Sequence, residues 1–160
     1  MRRQLTLSSR SAGFDPSAAA RMPVLDASVV VDCVAPGIDL SSSAMRTMRR
    51  LSSERAEIIA PRLLLTECAN ALLTGVKRGK WSGAAADLAY GFLVKLPFRL
   101  ADDAHHMDRA WELSRRYDNH PVYDMVYIAV AEAAGTTLIT ADSNLRLRLS
   151  HLAWISGPDA

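Results

Sequence analysis

The sequence predicts an α/β protein, a three-layer α/β/α sandwich built on a mostly parallel sheet of about five strands. Three observations predict it. Five short apolar, β-branched runs alternate with longer segments of helical periodicity, the pattern of strand–helix–strand units that place a parallel sheet between helical layers. The intervening segments carry helix caps and stops. The chain has 160 residues, 49% of them apolar, enough for one substantial core, and no repeat or long linker divides it.

The elements follow in order. MPVLDAS (22–28) is a buried strand. VVVDCVAPG (29–37) is a short helix stopped by Pro36 and Gly37. Ser41 to Ser53 is a second helix, with Met45, Met48 and Leu51 on its apolar stripe and Arg46, Arg49 and Arg50 facing outward. AEIIAP (56–61) is the second strand. Leu63 to Arg78 is a long helix ended by Gly79. Ser82 caps a helix running to about Lys95. PFRLA (97–101) is the third strand. Asp102 or Asp103 caps a helix through Tyr117. Val122 to Ala134 is a helix with Gly135 just past its end. TTLITA (136–141) is the fourth strand, Asn144 to Leu149 a short helix, and HLAWIS (151–156) the last strand.

Charge divides the chain unevenly. The overall net charge is +2. Residues 1–21 hold Arg2, Arg3, Arg10 and Arg21 against Asp15 alone, so the rest is slightly acidic. The basic character therefore belongs to an N-terminal extension, which has little to bury and is expected to be poorly ordered. Met22, directly before the first strand, is a candidate start for a shorter product. The folded unit is expected over residues 22–160. No apolar run approaches the ~20 residues of a membrane span, and the first residues lack the apolar stretch of a secretory signal. These features point to a cytoplasmic protein. Cys33 and Cys68 form no metal-binding spacing; with no partner base in view they read as small buried apolar residues.

Four acidic residues stand where a buried element ends or a helix begins: Asp26 in VLDASVVV, Glu67 in LLLTECANAL, Asp124 in PVYDMVYIAV and Asp142 in TLITADSNL. A carboxylate set in apolar sequence is costly unless paired, hydrogen-bonded or metal-bound. Each has an ordinary explanation. Asp26 could cap the following helix, as could Asp142. Glu67, Asn70 and Thr74 could form a solvated stripe, although the surrounding leucines leave little room for one. Asp124 could answer a helix dipole. Taken together the ordinary explanations weaken, because in an open parallel sheet ligands gather at the carboxyl ends of the strands, where Asp26 and Asp142 lie. Like charges brought together there repel unless a cation neutralises them. Oxygen donors without Cys or His select Mg²⁺ or Mn²⁺ rather than zinc. Such ions bind phosphate oxygen and activate water, with carboxylates available to take the proton.

This ordered set resembles the PIN-domain ribonucleases, and among them the VapC-type toxins of type II toxin–antitoxin pairs. The resemblance rests on LDAS after the first strand, LLLTECANAL on a helix, HPVYDMVYIAVAEAAGTTLITADSNL, and the closing HLAWIS. Together these span about residues 22 to 156. The resemblance implies a Mg²⁺-dependent endoribonuclease, with Mn²⁺ able to substitute, that acts on RNA, forms a homodimer and is inhibited by a cognate antitoxin protein. It makes Asp26, Glu67, Asp124 and Asp142 the four catalytic acids and metal ligands, Asp26 and Asp124 foremost. Ser28 and Thr140 match small hydroxyl residues that support the first and fourth acids, and Asn70 a polar position one turn beyond the glutamate. Met125 departs from the small residue common after the third acid, and narrows the expected cleft. The Arg-rich extension is a second departure.

Other residues carry less. His105 and His106 adjoin on one helix and read as surface. His120 precedes the third acid and either approaches a phosphate or opens the helix. His151 reads as structural. Lys77, Arg78 and Lys80 are the basic residues placed nearest the RNA, and Trp81, Trp111 and Trp154 are assigned to the core or to a subunit interface. VLDASVVV has neither the Rossmann glycines nor the P-loop lysine. Two other functions compete. A receiver-like phosphoacceptor would need an acidic pair near the first strand and a late lysine; MPVLDAS has no such pair and no lysine follows Lys95. A catalytically inert PIN-like module that only binds a partner would have no use for the four acids.

Overall fold

The computed structural model describes residues 22–159; the basic extension expected over residues 1–21 lies outside the described residues. Five strands form one sheet: β1 (Val24–Leu25), β2 (Ile58–Pro61), β3 (Phe98–Ala101), β4 (Leu138–Ile139) and β5 (Ile155–Ser156). Their order is β3-β2-β1-β4-β5 and every pairing is parallel. The α/β/α expectation holds, and the sheet is parallel throughout.

Seven α-helices connect the strands among the described residues: α1 (Ala27–Val34), α2 (Ser43–Ser53), α3 (Leu63–Lys77), α4 (Gly83–Leu93), α5 (Met107–Arg116), α6 (Val122–Ala134) and α7 (Ser143–Arg148). Their ends follow the local chemistry. Ser42 and Ser82 cap α2 and α4, accepting the amides of Met45 and Ala85 at 3.2 Å. Gly135 ends α6 in the left-handed conformation, at φ 61°. The triple valine of α1 favours a strand by propensity, yet it is helical, because Val29 and Val30 are fully buried against the core and packing overrides the intrinsic preference.

Helix α6 is the centre of the core. Met125 to Ala131 are all buried, as expected of a helix covered on every side. One side faces the sheet and another faces α5, to which it is clasped by Arg109: Nε and Nη2 donate to the two oxygens of Glu132 at 2.6 and 2.7 Å. Met125 has no exposed surface. It fills the core and does not narrow a cleft, contrary to the expectation.

Several expected boundaries move. MPVLDAS, TTLITA and HLAWIS each contribute only two residues of strand. His151 is exposed in the turn before β5, where Tyr117 Oη lies 2.9 Å from its Nε2. The helix expected to run to Tyr117 starts as a 3₁₀ turn, Asp103–His106, capped by Asp102. Asp103 instead turns back to α3, accepting the amides of Arg62 and Leu63 at 2.7 and 2.9 Å. Of the tryptophans, Trp154 packs on the core and Trp81 lies over Gly75, donating to the Leu72 carbonyl at 2.9 Å. Trp111 is 62% exposed, so the core placement fails for it.

Candidate active site

The chain leaves β1 to build β2 and β3 on one side, then returns to lay β4 and β5 on the other. The carboxyl ends of β1 and β4 therefore flank the point where strand order reverses, the usual ligand crevice of an open parallel sheet. Asp26 follows β1 directly. Thr140 follows β4, and Asp142 stands two residues later at the start of α7.

Asp26 occupies the N-cap position of α1, but its side chain caps nothing. Its Oδ2 accepts two hydroxyls instead: Ser28 Oγ at 2.6 Å and Thr140 Oγ1 at 2.7 Å. The direction of both bonds is fixed by the backbone. Ser28 Oγ accepts the Ala141 amide at 3.0 Å, and Thr140 Oγ1 accepts the Asp142 amide at 3.1 Å. Each hydroxyl thus receives a backbone proton and points its own at Asp26. Thr140 is fully buried. Ser28 and Thr140 thereby tie the ends of β1 and β4 together around the Asp26 carboxylate.

Glu67 lies half-buried one turn into α3. Its Oε2 accepts the hydroxyl of Tyr127 on α6 at 2.5 Å. Asn70 is exposed one turn further on, with Leu73 and Thr74 also exposed. The solvated stripe that the leucines argued against is present, and Glu67 sits at its inner edge. Asp124 lies in the first turn of α6, where His120 Nε2 stands 2.6 Å from its Oδ2. Asp142 is exposed and does cap α7: its Oδ1 accepts the amides of Asn144 and Leu145 at 2.9 and 3.0 Å.

These bonds share a pattern. Each of the four carboxylates is held by one oxygen, and among the described residues its other oxygen accepts no hydrogen bond. The charges also feel one another. The Glu67 carboxyl is pushed up first by burial, against the Tyr127 hydrogen bond, and further by Asp26, Asp124 and Asp103. Asp124 is pushed up by burial, held down by His120, and raised again by Asp26 and Asp142. The Tyr127 phenol is driven well above its ordinary range by burial and by Glu67. The four acids thus form one electrostatic group. They do not form a closed coordination shell: among the described residues, no three His, Cys, Asp or Glu side chains stand so as to hold a metal ion together. The donor set suits a hard cation.

Lys77, Arg78 and Lys80 are exposed at the far end of α3, about 15 Å along the helix from Glu67 at 1.5 Å per residue. Closer is Arg146, whose Nη1 donates to the Thr140 carbonyl at 2.6 Å. Neither it nor Tyr127 has a signal of its own in the sequence: Arg146 reaches back six residues to the end of β4, and Tyr127 acts on Glu67 across 60. His106 is half-buried and lines a surface cavity of about 420 Å³, which includes none of the four acids. Cys68 is buried beside the Ala27 carbonyl and its thiol is pushed up to about 12; that of Cys33 rises to about 11. Burial is the main cause in both, and neither is a nucleophile at neutral pH.

Comparison with known proteins gives three findings. The family model described as PIN domain matches residues 24–148. No curated protein matches. Two solved structures share the fold: PAE2754 from Pyrobaculum aerophilum, with a TM-score of 0.66 at 20% identity over 88% of this chain and 85% of that one, and VapC20 from Mycobacterium tuberculosis, a sarcin–ricin loop cleaving toxin, with a TM-score of 0.52 at 19% identity over 72% of this chain and 85% of that one.

Proposed function

Because this chain belongs to the PIN domain family, we propose that it is a Mg²⁺-dependent endoribonuclease, the toxin of a toxin–antitoxin pair, with residues 22–160 as the nuclease unit. What carries the reading is the arrangement of Asp26, Glu67, Asp124 and Asp142: four charge-coupled acids at the reversal of strand order, each anchored by one oxygen and offering the other.

Asp26 and Asp124 are the principal ligands in this reading, with Glu67 and Asp142 completing the set and Asn70 at its edge. A bound Mg²⁺ or Mn²⁺ would polarise a non-bridging phosphate oxygen and acidify a water. The chain's own contribution is positional. Ser28 and Thr140 lock the Asp26 carboxylate, His120 locks Asp124, and Tyr127 locks Glu67. An ionised carboxylate with an unbonded oxygen can take the proton that the attacking water gives up. Arg146 at the rim offsets repulsion between the acids and the phosphate backbone.

The partners in this reading are RNA, an antitoxin and a second copy of the chain. Leu88 and Phe92, 69% and 65% exposed on α4 beside Ile38, are the kind of apolar surface that protein contacts cover. Among the described residues no helix is long and apolar enough to cross a membrane, in keeping with a cytoplasmic site of action.

Asp26→Ala and Asp124→Ala should abolish RNA cleavage and growth inhibition while leaving the circular dichroism unchanged. Full activity with Mg²⁺ in either variant would end the assignment. Titration calorimetry with Mn²⁺ separates the enzyme from an inert partner-binding module, which has no reason to bind the ion.

A further inference from the structure

We propose that Tyr127 is a positioning residue for the metal-binding acids: its hydroxyl, one helical turn beyond Asp124 on α6, fixes Glu67 of α3 by one carboxylate oxygen and so sets which oxygen is presented to the ion. The inference rests on the nuclease reading above and assigns a role to a residue outside the four acids.

The geometry argues for a purpose beyond packing. Tyr127 is 1% exposed within a run whose neighbours, Val126 and Ile128 to Ala131, are buried and apolar. A phenylalanine would fill the same volume. A buried hydroxyl is costly unless it finds a partner, and this one finds a carboxylate at 2.5 Å, from a residue 60 positions away in the chain. Residues three and four apart share a helix face. Tyr127 lies three after Asp124, and His120, which contacts Asp124 at 2.6 Å, lies four before it. One face of α6 and its entry turn therefore supplies an acid, the group that holds that acid, and the group that holds an acid on a different helix. Glu67 sits at the edge of the solvated stripe of α3. Without the tyrosine its long side chain is at liberty to swing toward water. With it, a carboxylate on α3 is referenced to the same helix face that carries Asp124.

The test measures metal affinity apart from turnover. Mn²⁺ binding is followed by titration calorimetry in wild type, Tyr127→Phe, Glu67→Gln and the double variant, with thermal melts of the metal-free proteins alongside. Residues that orient metal ligands typically contribute about 10–100-fold in affinity. Tyr127→Phe should therefore weaken Mn²⁺ binding about tenfold, and lower kcat with KM for RNA unchanged. In the Glu67→Gln background the same substitution should change affinity less than about twofold, because the group it acts through has lost its charge. Wild-type affinity in Tyr127→Phe overturns the proposal, as does an equal loss in both backgrounds. Glu67→Asp gives a second arm with the tyrosine intact: it withdraws the carboxylate by one methylene and must also weaken Mn²⁺. Wild-type binding there refutes the idea even if the phenylalanine variant fails to fold. The two readings fail separately. If wild type binds Mn²⁺, Asp26→Asn abolishes binding and Tyr127→Phe does not weaken it, only the tyrosine's role falls. If wild type binds no Mn²⁺, both fall.

Discussion

Replacing Thr140 by valine probes the link between β1 and β4 with almost no change of shape. The residue is fully buried. Its hydroxyl donates to Asp26 at 2.7 Å and accepts the Asp142 amide at 3.1 Å. Losing a hydrogen bond to a charged acceptor costs about 1.5–3 kcal/mol, and stranding a buried amide costs about 1–3 kcal/mol. Both losses are partial here. Asp26 keeps Ser28 as a donor, and the Asp142 amide belongs to an exposed residue that water can reach. The added methyl returns about 0.8 kcal/mol of apolar burial. A net loss of about 2 kcal/mol follows, or roughly 4–8 °C in the melting temperature of a domain of this size. Thr140→Ser keeps both bonds and loses only a methyl, about 1 kcal/mol. The decisive assay is the pair measured twice, by thermal melt and by Mn²⁺ titration. Valine should lose about tenfold in Mn²⁺ affinity through the loosened Asp26 carboxylate, and serine almost nothing. If valine melts no lower than serine and binds Mn²⁺ like wild type, the hydroxyl does not orient Asp26 and the reasoning fails.

Two further outcomes are expected. Glu67 and Asp124 both titrate above the ordinary carboxylate range, with burial the main cause. Between that range and their raised values the folded state binds more protons than the unfolded one, so their contribution to stability grows as pH falls through the raised values and levels off below the ordinary range. Glu67→Gln removes one such group while leaving an oxygen to accept the Tyr127 hydroxyl. In EDTA its melting temperature relative to wild type should therefore be higher at about pH 8 than at about pH 5; a gap independent of pH would contradict this. Asp103→Ala strips two amide partners from the start of α3 and should cost about 1 kcal/mol, seen as a fall of a few degrees; Asp103→Asn, which keeps one acceptor and turns an NH2 toward the other amide, should recover only part of it, and an unchanged melt for Asp103→Ala would show that the cap is idle.

What the sequence made legible was whatever local pattern or order along the chain decides. The parallel sandwich followed from alternation of element types. The placing of Asp26 and Asp142 at one edge followed from their standing just after two strands of a parallel sheet. Strand lengths were overestimated at MPVLDAS and TTLITA because apolar and β-branched residues flank the two-residue strands on both sides without extending them. The role of Asp26 was ambiguous because its position is that of a cap; only Thr140, 114 residues away, decides the matter by claiming the carboxylate. Asp102 and Asp103 were equal candidates for one cap for the same reason; Asp102 takes it, while Asp103 serves partners 40 and 41 residues upstream. Met125 was misread as lining a cleft because periodicity does not say which side of a wholly apolar helix faces a site. Long-range side-chain pairing leaves no local trace, and the groups that hold these acids are mostly of that kind.

The β3-β2-β1-β4-β5 order has a consequence for the sequence in which the crevice is assembled. The first strand is two residues long, and its neighbour β4 follows both β2 and β3 along the chain. Until that late segment emerges, Asp26 lacks the Thr140 hydroxyl, and the crevice has only one wall. Pairings that distant form slowly and late. A chain made only as far as β3 therefore carries Asp26 without one of the two hydroxyls that orient it.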